Sequence, residues 1–223
     1  MSETIVLLID GPTLAPVTIV LAHGAGAGMD TPIMTFFAEG LAAAGFRVVR
    51  FEFPYMAQRR QTGKQRPPDR EPILRATWLA VIEQLGAKNL VIGGKSMGGR
   101  IATQLVAAEK RAPSVKGLVV LGYPLNPPAR RSARKRPNIG PSRAEHLYEL
   151  AVPLLVVQGA RDAFGGEAEL SPVVRRLRRG SRLVVVPDGD HSLGVRKSSG
   201  LDQEAVYDDV ADAIVTFCRS LQR

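Results

Sequence analysis

Ser96 stands in Gly93-Gly94-Lys95-Ser96-Met97-Gly98-Gly99-Arg100, with glycine two positions before it and two after. A hydroxyl attacks an acyl group only when a base takes its proton and an acid holds that base in place. Two other turns could supply these groups. Asp162 lies in Gly159-Ala160-Arg161-Asp162-Ala163-Phe164-Gly165, and His191 in Pro187-Asp188-Gly189-Asp190-His191-Ser192. Each could be an ordinary turn residue if taken singly. All three follow apolar runs, and they come in the order nucleophile, acid, base that is known for one serine-based arrangement. Asp188 and Asp190 read as turn or capping residues, being too close to His191 in sequence to reach round to its ring.

Attack on an acyl carbon creates an oxyanion, which needs N–H donors. The N–H of Met97, just after the serine, is one candidate. The other is Ala25, in the flexible loop His23-Gly24-Ala25-Gly26-Ala27-Gly28-Met29-Asp30. His23 reads as a residue that orders this loop rather than as a base. Two phosphate-binding readings fail. Gly94-Lys95-Ser96 would need a glycine at position 89, which is Asn89, and G-x-G-x-x-G fails at Met29 and at Thr31. No histidine or cysteine spacing suggests a metal site, and no cofactor is expected.

The elements that must carry these residues alternate. Thr4 to Ile9 and Val17 to Ala22 are apolar runs bracketing Asp10-Gly11-Pro12, which predicts an opening β-hairpin. Helices are expected over 33–44, 72–86, 101–110, 143–149, 167–179 and 202–221. Strands are expected over 46–53, 89–93, 116–121, 154–158 and 182–186. Residues 57–70 read as a polar, basic loop, and 123–141 as a long proline-rich one. His146, on the short helix after it, reads as exposed. The alternation predicts an α/β fold: a doubly wound, mostly parallel sheet between two helix layers. Leu118-Val119-Val120-Leu121 and Leu154-Leu155-Val156-Val157 have the unbroken apolar character of central parallel strands. Ligands bind beyond the C-terminal ends of such strands, where Ser96, Asp162 and His191 fall.

A chain of 223 residues, 45% hydrophobic and 23% charged, suits one globular domain over 1–223. No apolar run approaches the length of a membrane span, no secretory signal is visible, and the single cysteine, Cys218, cannot form an intramolecular disulfide. A cytoplasmic setting is the resulting expectation. The net charge of +9 is clustered. One group is Arg59, Arg60, Lys64, Arg66, Arg70 and Arg75. A second is Arg130, Arg131, Arg134, Lys135, Arg136 and Arg143, and a third is Arg175, Arg176, Arg178, Arg179 and Arg182. A solvated basic face explains them most simply. The absence of interleaved aromatics in the two loop clusters argues against a nucleic-acid platform. Both loops leave strand ends, so an anionic acyl substrate is the sharper alternative.

The elbow octapeptide, His23-Gly24-Ala25-Gly26, Gly122-Tyr123-Pro124-Leu125, Gln158 to Gly165 and Asp190-His191-Ser192 resemble the α/β-hydrolase family. Within it they resemble a small subgroup related to dienelactone hydrolases and testis-expressed hydrolase-like proteins. The resemblance implies the fold and a Ser96–His191–Asp162 triad acting on small carboxylic esters or related acyl compounds. Dienelactone hydrolases use a cysteine nucleophile, and here the position is Ser96. Some relatives are scaffold subunits, so a non-catalytic scaffold, or a polyanion binder, is the competing class. Only about thirty residues separate the strand ending at Leu121 from the next, too few for a helical lid.

Overall fold

The computed structural model describes residues 4–86, 88–108, 115–127 and 143–222. Seven strands form one sheet: β1 (Leu7–Asp10), β2 (Thr18–Ala22), β3 (Arg47–Phe51), β4 (Leu90–Lys95), β5 (Val115–Leu121), β6 (Leu154–Gly159) and β7 (Arg182–Val186). Their order is β1-β3-β2-β4-β5-β6-β7, and all neighbours are parallel except β1 with β3. The antiparallel opening strand is therefore present, but its partner is not the one the hairpin reading names. β3 lies between β1 and β2. Asp10 pairs with Arg50 at 2.9 Å, which holds β1 against β3 and away from its sequence neighbour.

The helices are α1 (Pro32–Ala43), α2 (Pro54–Thr62), α3 (Glu71–Leu85), α4 (Met97–Ala108), α5 (Glu167–Val174) and α6 (Gln203–Ser220). Alternate strand residues face two separate cores. Ile19, Leu21, Val91, Val119, Leu155 and Val157 pack under α1 and α6, with Phe37, Leu41, Ile214 and Phe217. Val20, Ile92, Val120 and Val156 pack on the other face, with Trp78 of α3 and Ile101 and Leu105 of α4. Trp78 is fully buried and meets the edge of Phe51 with ring centroids 4.7 Å apart. Such a pair adds about 0.5–1.5 kcal/mol beyond its area burial. The chain ends of α3 and α6 are set locally. Pro72 lies in the first turn of α3 and Gly86 ends it, while the Asp202 side chain accepts from the N–H of Ala205 at 2.9 Å.

Two departures from the expected elements matter for the site. Residues 57–62 are helical rather than loop, as part of α2. Pro54 opens that helix with a pre-set φ, Tyr55 and Met56 bury its inner face, and Gly63 closes it. The helix after residue 167 stops at Val174, because Arg176 and Leu177 bond to carbonyls three residues back and tighten the chain out of α-helical pitch. Arg130, Arg131, Arg134, Lys135 and Arg136 lie outside the described residues.

Candidate active site

β4 ends in a turn that Gly94 makes possible. Its φ is +132°, and a Cβ there would run into the carbonyl of Ala22 on β2. A Cβ on Gly98 would lie 2.5 Å from the carbonyl oxygen of His23. Ser96 adopts φ +50°, a left-handed conformation uncommon for serine. Its N–H donates to Leu121 at 2.9 Å, and its carbonyl accepts from Arg100 at 2.9 Å. The strained residue is thus held from both sides, at the C-terminal end of β4 and the start of α4.

The ring of His191 bridges Ser96 and Asp162. Its Nε2 lies 2.8 Å from Ser96 Oγ, and its Nδ1 lies 2.7 Å from Asp162 Oδ2. With Nδ1 protonated towards the carboxylate, Nε2 is left to accept the serine proton, the tautomer that the network favours. The Asp162 side chain is wholly excluded from solvent. A buried carboxylate must be satisfied by donors, and it is: Phe164 N–H donates to Oδ1 at 2.8 Å, and Gln158 Nε2 donates to Oδ2 at 2.7 Å. The Gln158 amide also donates to the Gly165 carbonyl at 2.7 Å and accepts from the Tyr123 N–H at 2.7 Å. Gln158 is fully buried at the end of β6. It is a positioning residue that sequence reasoning did not single out, although a glutamine closing an apolar strand was a usable signal.

The two carboxylates near His191 in sequence are committed elsewhere. Asp190 Oδ1 accepts from the N–H groups of Ser192 and Gly194, at 2.7 and 3.0 Å. Asp188 pairs with Arg161 and Arg196, and the Arg196 hydrogen bonds hold its carboxyl below the usual carboxylate range. Arg161 N–H also donates to the Gly189 carbonyl at 2.8 Å, which latches the turn after β6 to the turn after β7.

The glycine-rich loop is tied down rather than flexible. Tyr55 OH donates to the Ala25 carbonyl at 2.9 Å, and Arg59 to the Gly26 carbonyl at 3.1 Å. Arg60 clamps Asp30 at 2.8 Å and the buried Glu52 at 2.6 Å, while Arg50 donates to the Met29 carbonyl at 3.2 Å. The composition of the loop hides these anchors because all of them come from β3 and α2. His23 is fully buried, with Nδ1 against the Gly24 carbonyl at 2.7 Å and Nε2 accepting from Phe53 N–H at 3.1 Å. Burial pushes its pKa down, so the ring is neutral and both nitrogens are engaged.

The model for the alpha/beta hydrolase domain matches residues 15–219. The chain belongs to the alpha/beta hydrolase family. Among solved structures it is similar to a dienelactone hydrolase from Anabaena variabilis, with a TM-score of 0.69 and 18% identity over 95% of this chain and 89% of that one. An alpha-beta serine hydrolase homologue from Coxiella burnetii gives 0.65 and 19% over 94% and 89%. A monoacylglycerol lipase from Paleococcus ferrophilus gives 0.69 and 14% over 96% and 100%. At these identities the structures share the alpha/beta hydrolase fold and no more is carried over.

On this alpha/beta hydrolase, a cavity of about 320 Å³ opens at Ser96. Ala25 and Met97 border it, as do Leu74, Pro124 and Phe164. Met97 is the first residue of α4, so its N–H has no acceptor within the helix. Phe164 packs on the His191 ring with centroids 4.4 Å apart. Among the described residues, no cluster of three or more His, Cys, Asp or Glu could hold a metal ion, and no helix is long and apolar enough to cross a membrane.

His146 is half-buried rather than exposed. It sits on a short 3-10 helix, Glu145–Glu149, with Nε2 2.9 Å from the Thr103 hydroxyl on α4. Burial, reinforced by the Arg100 charge, lowers its pKa from 6.5 to about 4. The unfolded chain therefore takes up a proton that the folded chain refuses between these values, so stability falls as pH drops through that window. Buried His23 acts in the same direction. In urea melts between about pH 7 and 4.5, His146→Gln is expected to lose less stability than the parent protein. Equal losses would show that this ring does not drive the acid sensitivity.

Proposed function

We propose that this alpha/beta hydrolase is a serine esterase that cleaves small carboxylic esters or related acyl compounds through a Ser96–His191–Asp162 triad. The observation that carries the reading is the His191 ring hydrogen-bonded to Ser96 Oγ on one nitrogen and to Asp162 on the other. Ser96 Oγ attacks the acyl carbon as its proton passes to His191 Nε2. The carbonyl π-electrons move onto oxygen, which the N–H groups of Met97 and Ala25 stabilise. Collapse expels the alcohol, which takes the proton from His191, and leaves Ser96 acylated. Water, deprotonated by His191, then releases the acid and restores the serine. Asp162 holds the ring through Nδ1 and stabilises the imidazolium. Tyr55 holds the Ala25 carbonyl and so orients the adjacent peptide groups. A scaffold has no need of this relay, which favours catalysis over the scaffold reading.

On this reading the chain acts as one domain without a helical lid, which would leave a long acyl tail unenclosed. Each enclosed methylene would contribute about 0.8 kcal/mol. Across p-nitrophenyl esters from acetate to dodecanoate, kcat/KM is expected to level off or fall beyond short chains. A steady rise along the series would mean an apolar tunnel and a lipase-like substrate.

A further inference from the structure

Two arginines line the cavity at Ser96, Arg100 and Arg143. Burial raises the cost of keeping Arg143 charged, and the nearby Arg100 charge adds to it. Like charges in a partly dry cleft are normally relieved by a carboxylate. Here neither makes an ion pair among the described residues. Arg143 Nη1 donates to the carbonyls of Pro124 and Asn126, at 3.1 and 3.3 Å, and Arg100 Nη1 donates to the neutral Gln104 side chain at 3.0 Å. These contacts fix both side chains without neutralising them. Two acids also border the cavity, and neither pairs with these arginines: Asp69 accepts from Tyr55 N–H at 2.9 Å, while Glu71 accepts from Gln104 at 3.1 Å and lies 3.9 Å from Arg75.

The position is as telling as the charge. Arg100 lies one helical turn beyond Ser96, its N–H bonded to the serine carbonyl. Both residues border the same cavity, so a group held by Arg100 would lie within a small molecule's length of a carbonyl poised over Ser96 Oγ.

We infer that Arg100 and Arg143 form a carboxylate-binding subsite, and that the substrates of this enzyme are acyl esters whose acyl chain ends in a carboxylate. The inference rests on the esterase reading and names the substrate class of that site. A guanidinium fork matches a planar carboxylate in a way that a lysine ammonium would not, and a substrate carboxylate would give these two arginines the direct ion pair that neither makes among the described residues. The loop arginines contribute less than the sequence suggests. Arg59 and Arg60 are spent on the glycine-rich loop, while Lys64, Arg66 and Arg70 are exposed.

The test compares mono-p-nitrophenyl adipate with its methyl ester, which is neutral and nearly the same size. The parent protein is expected to prefer the anionic ester in kcat/KM. Arg100→Gln and Arg143→Gln should each cut the anionic-to-neutral ratio about tenfold or more, as loss of a charge-assisted contact implies. Arg143→Lys should recover part of the ratio, and the exposed Arg178→Gln should leave it unmoved. A merely structural role would lower both rates together and keep the ratio. If Arg143→Gln does not fold, Arg100→Gln decides, since its one side-chain hydrogen bond among the described residues is to Gln104 on its own helix. No preference in the parent protein, or a preference that survives in the double variant, overturns the subsite. Binding separates this from the esterase reading. Monomethyl adipate should bind Ser96→Ala by calorimetry and be lost on adding Arg100→Gln. Binding without any ester turnover in the parent protein would sink the esterase reading alone, and absence of binding would sink the subsite.

Discussion

Ser96→Ala is expected to lower kcat towards p-nitrophenyl acetate by about 10⁴-fold or more. The argument starts from the elbow. Among the described residues, Ser96 is the one whose hydroxyl lies against His191 Nε2, at 2.8 Å, and its φ of +50° is maintained by backbone bonds to Leu121 and Arg100 that do not involve the side chain. Alanine removes the nucleophile and leaves those bonds in place. The fold should therefore survive, and the loss should fall on kcat. The N–H donors and the cavity remain, so a residual acceleration over water is expected. Purified Ser96→Ala that turns over ester like its parent would place the chemistry elsewhere.

Asp162→Asn is expected to be nearly as damaging, with kcat down by about 10⁴-fold, whereas Asp190→Asn should cost much less. Asp162 Oδ2 receives both His191 Nδ1 and Gln158 Nε2. An amide at this position cannot accept from all of its neighbours. If its NH₂ faces His191, the ring must accept on Nδ1 and carry its proton on Nε2, where it can no longer take one from serine. The same NH₂ would also meet the Gln158 NH₂, and in the flipped orientation it would meet the Phe164 N–H, donor against donor in a site without solvent. Asp190, in contrast, accepts from two backbone N–H groups of its own turn. Its replacement should loosen the turn that carries His191 and lower activity modestly. Steady-state kinetics on both variants, with melting curves to confirm folding, separates the two. A larger loss in folded Asp190→Asn would show the acid to be misassigned.

The three residues at the centre of this reading are legible in the sequence because each follows a buried apolar run and each turn has a local reason to be sharp. The parallel sheet is legible for the same reason: Leu118 to Leu121 and Leu154 to Val157 are fully or almost fully buried. What escapes is whatever depends on partners distant in sequence. The place of β1 rests on Asp10 meeting Arg50, and no local pattern announces that pair. The loop from His23 to Asp30 has the composition of a flexible segment, yet Tyr55, Arg59 and Arg60 hold it from a helix that polar composition disguises as loop. Gln158 and His146 are polar residues satisfied by tertiary contacts alone, so their roles follow only from the packing.

Labelling with a fluorophosphonate, followed by intact mass and peptide mapping, tests the assignment of Ser96 most directly. The activated hydroxyl should displace fluoride and form one covalent phosphonyl adduct on the peptide containing Ser96. Labelling should disappear in Ser96→Ala and fall sharply in His191→Ala. A folded protein that takes up no label, or takes it up at another residue, would contradict a Ser96 nucleophile activated by His191.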